Sequence, residues 1–121
     1  MATLIVPITA DDHLEGPPEA PVTLVEYGDY ECEHCGAAHP VIKLVLRHFG
    51  RRLRFVFRHF PLSQIHPHAE AAAETAAETA EFAAANGKFW VMNDAIFENQ
   101  DLLGLPLLLS LAETLDCLNP D

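Results

Sequence analysis

Two cysteines three residues apart, in the run Cys32-Glu33-His34-Cys35, stand between a strand-like segment and a helix-like one. Val22-Thr23-Leu24-Val25-Glu26-Tyr27 is β-branched and aromatic, is bounded by Pro21 and Gly28, and carries the signature of a buried strand. After the turn Gly28-Asp29-Tyr30-Glu31, the apolar positions Ala38, Val41, Ile42, Val45, Leu46 and Phe49 recur at helical spacing. This predicts a helix from about Cys32 to Phe49, stopped by Gly50 and bent at Pro40, which removes one backbone hydrogen bond. Arg52 to Arg58 alternates basic and apolar residues with the period of a second strand, basic outward. Strand, helix and strand within so short a span form a right-handed parallel βαβ unit, so the expected class is α/β.

Two cysteines spaced i, i+3 at a helix start bring their sulfurs within disulfide reach. The first sulfur faces the unpaired N–H groups and the positive end of the helix dipole, which favours its thiolate and makes Cys32 the attacking group. Cys35, one turn in and shielded, is the expected resolving thiol that breaks a mixed disulfide. His34 favours the thiolate by hydrogen bond or charge, whereas Glu33 opposes it, and the two effects leave the direction of net electron flow open. Glu26, six residues before Cys32 at the strand end, is either a buried proton relay for Cys35 or a carboxyl pointing to solvent.

The 121 residues, half of them hydrophobic, suffice for one core and are too few for two independently stable ones, so 1–121 is read as a single domain. Seven basic residues against 18 acidic ones give a net charge of -11, which argues against nucleic acid or an anionic membrane surface as partner. The start of the chain lacks a basic n-region, and Leu102 to Leu111 is interrupted by Gly104, Pro106 and Ser110, so a cytoplasmic chain with no membrane span is expected, periplasmic if a signal sequence was removed. An odd count of three cysteines cannot form a stapling framework. Zinc wants four ligands, and there is no second Cys-x-x-Cys or suitably placed His-x-x-x-His, so no metal and no cofactor are expected. His13, His48 and His59 read as surface residues, His39 as a side chain that can face the cysteine pair, and His66 and His68 as capping or solvated groups. Cys117 reads as a bland residue near the chain end rather than a third redox partner, with an intermolecular disulfide as the alternative.

Residues 1–21 read as a polar surface arm, 22–60 as the βαβ redox unit and 66–116 as a helical subdomain. Within the last, Pro67 to Asn86 is Ala/Glu-rich and stopped by Gly87; its alanine face and Phe82 pack, while Glu70, Glu74 and Glu78 form a solvated stripe. Two further helices are marked by Phe89, Trp90, Asn93, Ile96 and Phe97, and by Leu108, Leu111, Ala112 and Leu115 beginning near Pro106.

Asp12-His13-Leu14-Glu15-Gly16-Pro17, Ala20 to Tyr30, Cys32-Glu33-His34-Cys35-Gly36, Phe55 to Leu62, His66-Pro67-His68-Ala69, Gly87-Lys88-Phe89-Trp90 and Phe97-Glu98-Asn99-Gln100 together carry a resemblance. Through them the chain, from Asp12 to Asp116, resembles the DsbA-like thioredoxin family, in the branch also found fused to sodium/proton antiporters. The resemblance implies a thioredoxin-like βαβ unit followed by the DsbA-type helical insertion, and thiol–disulfide oxidoreductase activity on protein thiols. It places Cys32 at the nucleophile, Cys35 at the resolving cysteine and Glu26 at the buried acid. Glu33 stands where the family usually has proline, so the family's redox potential does not carry over.

The chain reaches Asp121 without the family's cis-proline loop and C-terminal ββα half. An exposed sheet edge and partly open hydrophobic face are therefore expected, and with the leucines at 102, 103, 105, 107 and 109 they point to an obligate homo-oligomer, most simply a homodimer. The alternative is a redox-impaired thioredoxin-like scaffold or binding module. A glutathione-using enzyme is disfavoured, because such relatives typically carry Ser at the nucleophile position.

Overall fold

The computed structural model describes residues 6–60 and 70–115, with side chains from Thr75 in the second of these stretches. A short strand β1 (His13–Glu15) leads into β2 (Val22–Gly28), α1 (Glu33–Phe49) and β3 (Leu53–His59). Three helices follow, α2 (Glu70–Ala85), α3 (Phe89–Glu98) and α4 (Leu105–Thr114), and 3-10 turns stand at Gly50–Arg52 and Gln100–Leu102. Glycine ends two of the helices as expected: Gly50 and Gly87 take φ of 54° and 71°, and the Gly50 N–H closes on the Leu46 carbonyl. Helix α1 runs through Pro40 as one element.

The sheet order is β1-β3-β2, with β2 parallel and β1 antiparallel to the central β3. The parallel βαβ unit is thus present, and two expectations about its strands are corrected. Part of the arm is β1, whose Leu14 lies opposite Val56 and whose carbonyl accepts the Trp90 indole N–H at 3.2 Å. In addition, β2 is an edge strand of the described sheet and not a buried one: Val22 is 56% exposed and Tyr27 49%. A hydrophobic run between turn residues looks alike on an edge and in a sheet centre, because alternation is masked when both faces are apolar.

Register explains the rest of the core. Leu24, Glu26 and Gly28 share a face with Phe55, Phe57 and His59, and the core gathers on that side from Phe55, Phe57, Tyr30, Met92, Ile96 and Phe97. The opposite face carries Arg54 and Arg58, each tied down: Arg54 to the Thr23 hydroxyl at 2.7 Å, and Arg58 to both Asp12 carboxylate oxygens at 2.8 and 3.0 Å. Helix α2 packs through Ala76, Ala80 and Ala83, all fully buried, which lets α3 and α4 approach closely. Phe82 does not join that face. It is 46% exposed and lines a groove of about 370 Å³ with Leu105, Leu108 and Leu109. Glu78 is exposed as expected, whereas the side chains of Glu70 and Glu74, and Pro67, His66, His68 and Cys117, lie outside the described residues.

Candidate active site

The turn from β2 into α1 is built by Asp29, which is itself buried. Its carboxylate accepts the Glu31 N–H at 2.8 Å and its carbonyl accepts the Cys32 N–H at 3.0 Å, an Asx-type turn that sets the helix start. Cys32 is the N-cap of α1, with extended backbone (φ −78°, ψ 121°), and only 6% exposed. No side chain caps this end, so the first-turn N–H groups and the helix dipole are left to the cysteine.

Cys32 and Cys35 are both free thiols. Burial pushes the Cys35 thiol up to about 11; a backbone hydrogen bond from Asp29 acts against this, and the hydrogen bond it shares with Cys32 adds to it. Glu26 lies on the core-facing side of β2, paired with Phe57, and burial pushes its carboxyl up to about 7. Its charge acts on the Cys35 thiol and on the Tyr30 hydroxyl. Glu33 and His34 are exposed on the first turn of α1, and among the described residues no hydrogen bond joins the His34 ring to either sulfur. The structure thus brings Cys32, Cys35 and Glu26 together and leaves His34 in solvent.

Three supporting residues were not legible as such in the sequence. Gln100, beyond α3, donates from its amide nitrogen to the carbonyls of Tyr30 and Cys32, both at 2.7 Å. Its amide oxygen occupies the space above Gly36, where a Cβ would come within 2.1 Å of it. Tyr30 is buried among Phe57 and Phe97, and its hydroxyl accepts the buried Asn93 amide at 2.9 Å. Gln100 belongs to a stretch that carries the family resemblance, but spacing alone gives a glutamine 68 residues from Cys32 no role.

The histidines also depart from expectation. His39 is buried against Phe97 and 3.3 Å from Asp94, so α1 turns it toward the helical subdomain, and burial holds its ring below the usual imidazole range. His13 and His59 are half-buried and meet across β1 and β3, each with its Nε2 on the same Glu81 oxygen of α2, at 2.5 and 3.0 Å. A surface assignment failed for them because one arrives on an arm read as irregular and the other on the α2-facing side of a strand end. His48 is exposed as expected.

Residues 9–115 match a family model described as thioredoxin. The chain is 47% identical over 114 residues to a protein of Salinispora arenicola named Na(+)/H(+) antiporter NhaA 1, covering 93% of this chain and 17% of that protein. It is 48% identical over 100 residues to an antiporter of the same name from Mycobacterium sp. strain KMS, covering 82% and 16%. The chain therefore spans about a sixth of the length of these curated relatives. Among solved structures, Wolbachia pipientis alpha-DsbA1 superposes with a TM-score of 0.76 at 25% identity, over 93% of this chain and 57% of that one. Pseudomonas aeruginosa DsbA2 does so at 0.65 and 29% identity, over 88% and 66%. With the βαβ unit, the helices after β3 and the cysteine pair at the start of α1, these matches establish that the chain belongs to the thioredoxin family, with a DsbA-like form of the fold.

Proposed function

We propose that this chain is a thiol–disulfide oxidoreductase that exchanges disulfides with protein thiols through Cys32 and Cys35. The observation that carries the reading is an uncapped helix N-terminus holding Cys32, with Cys35 and a carboxyl poised near neutrality behind it. In the reducing direction, the Cys32 thiolate attacks a substrate disulfide, forming a mixed disulfide and releasing one substrate thiolate, which takes up a proton. Cys35 then gives its proton to the Glu26 carboxylate and attacks the Cys32 sulfur. The second substrate thiolate leaves, the pair is oxidised to a disulfide and the substrate is left as two thiols. The oxidising direction is the reverse. Burial raises both the Cys35 thiol and the Glu26 carboxyl, which keeps Glu26 able to take up and return a proton close to neutral pH.

Relatives named as antiporters carry the matching stretch as a minor part of their length, and among the described residues no helix is long and apolar enough to cross a membrane. We therefore assign redox exchange, and not ion transport, to this stretch. Reduction of insulin by dithiothreitol is the test. The chain accelerates it and Cys32→Ser abolishes the acceleration; equal rates for the two would leave the scaffold alternative in its place.

A homodimer is part of the same proposal. Edge strand β2 exposes Val22, Leu105 and Leu109 are each more than half exposed beside Phe82, and Leu102 is exposed as well. Light scattering at micromolar concentration gives twice the chain mass on this reading, and a single monomeric species contradicts it.

A further inference from the structure

We propose that His13, His59 and Glu81 form a binding site for a divalent transition-metal ion of the zinc and cobalt class. The three side chains come from β1, β3 and α2, and their ligand atoms all lie within 4.8 Å of one another. Two imidazoles and one carboxylate are a ligand set that such ions accept while keeping further positions open.

The geometry is close to what an ion needs. Bonds of about 2.0–2.1 Å in a tetrahedral centre set neighbouring ligand atoms about 3.3 Å apart. Both Nε2 atoms now converge on one Glu81 oxygen at 2.5 and 3.0 Å, so a retreat of that carboxylate by a fraction of an ångström opens the ion's place. Glu81 is free to make that move, since its side chain is about half exposed. The rings are not. His13 stacks on Phe89 with centroids 3.6 Å apart and planes 6° from parallel, and His59 packs edge-on against Phe57 and Phe89. Two fixed donors and one adjustable anion give a preset site, and the partial exposure of both histidines leaves water able to complete the coordination.

Burial favours the neutral His59 ring, the form that ligates. One feature tempers affinity. His59 Nδ1 is buried without a hydrogen-bond partner, so the proton placed there when Nε2 ligates finds no acceptor. Loss of such an outer contact weakens metal sites by about 10–100-fold, so binding is expected to fall well short of a structural zinc centre. The site shares no ligand with Cys32 and Cys35, and it does not depend on the redox reading.

Cobalt(II) titration of the Cys32→Ser/Cys35→Ser/Cys117→Ser chain, followed by its visible ligand-field bands, is the test, with zinc(II) calorimetry alongside. The wild-type chain with alkylated thiols replaces the serine variant if that fails to fold. One ion per chain is expected, with no thiolate charge-transfer band. Glu81→Gln and His13→Ala should each weaken binding at least tenfold, and His48→Ala should leave it unchanged. Absence of saturable binding in the thiol-free chain, or binding indifferent to Glu81→Gln and His13→Ala, overturns the proposal.

Discussion

The Gln100 side-chain amide donates to the Cys32 carbonyl at 2.7 Å and thereby ties the connection between α3 and α4 to the first turn of α1. Through its second bond, to the Tyr30 carbonyl, the same nitrogen fixes the chain on both sides of Glu31. A residue of the insertion therefore positions the cysteine turn.

This contact gives a sign reversal to look for. Gln100→Ala leaves two carbonyls to water and should cost about 1–2 kcal/mol. Gly36→Ala drives a methyl group onto the Gln100 amide oxygen, which cannot swing away without breaking both bonds, so it should destabilise as well. In the Gln100→Ala background that obstacle is absent, and Gly36→Ala should stabilise by up to about 1 kcal/mol through helix propensity. Urea midpoints of the four proteins test the cycle; additive effects would show that the clamp is not what excludes a side chain at Gly36.

Gly28 ends β2 against the Phe57 ring, and a Cβ there would come within 2.2 Å of it. Phe57 is fully enclosed and cannot yield. Gly28→Ala should therefore cost about 1–3 kcal/mol or more by overpacking, read as a drop in thermal midpoint with the fold retained by circular dichroism.

Glu26 sets a pH dependence of known sign. Its carboxyl is pushed up by burial to about 7 in the folded chain against 4.5 for a solvated glutamate, so its contribution is fully present below about pH 4.5 and is lost as pH rises through 7. Glu26→Gln removes the loss. After allowance for its partial exposure, the variant should gain about 1–2 kcal/mol over wild type at pH 8 and little at pH 4.5. Denaturant titrations at the two pH values measure this, and a constant difference between them would remove Glu26 as a buried acid. Asp12 works the other way, because the Arg58 guanidinium holds its carboxyl low, so its contribution is lost as pH falls below the usual carboxylate range.

Local patterns carried much of this fold. The strand-turn-helix at Cys32, the stop signals at Gly50 and Gly87 and the helices of the second half follow from spacing and capping alone, and the structure reproduces them. What was not legible is what depends on distant pairing. Three residues of the arm become β1 only because β3 offers them an edge, and Val22 and Leu24 look buried until the sheet order puts them at the margin. Phe82 was expected inside a helix face that alanines alone proved able to fill. In the site, the cysteine pair and Glu26 are readable within ten residues, while Gln100, Asn93 and the His13–His59 meeting arise from contacts across the chain.

Attack by Cys32 and resolution by Cys35 imply an intermediate that accumulates once the resolving thiol is removed. Incubation of Cys35→Ser with a peptide disulfide, followed by intact-mass and peptide mapping, detects it. A persistent mixed disulfide on Cys32 is predicted, absent in wild type because Cys35 releases it within the reaction time. No adduct at Cys32, or one that disappears as fast without Cys35 as with it, would contradict the account.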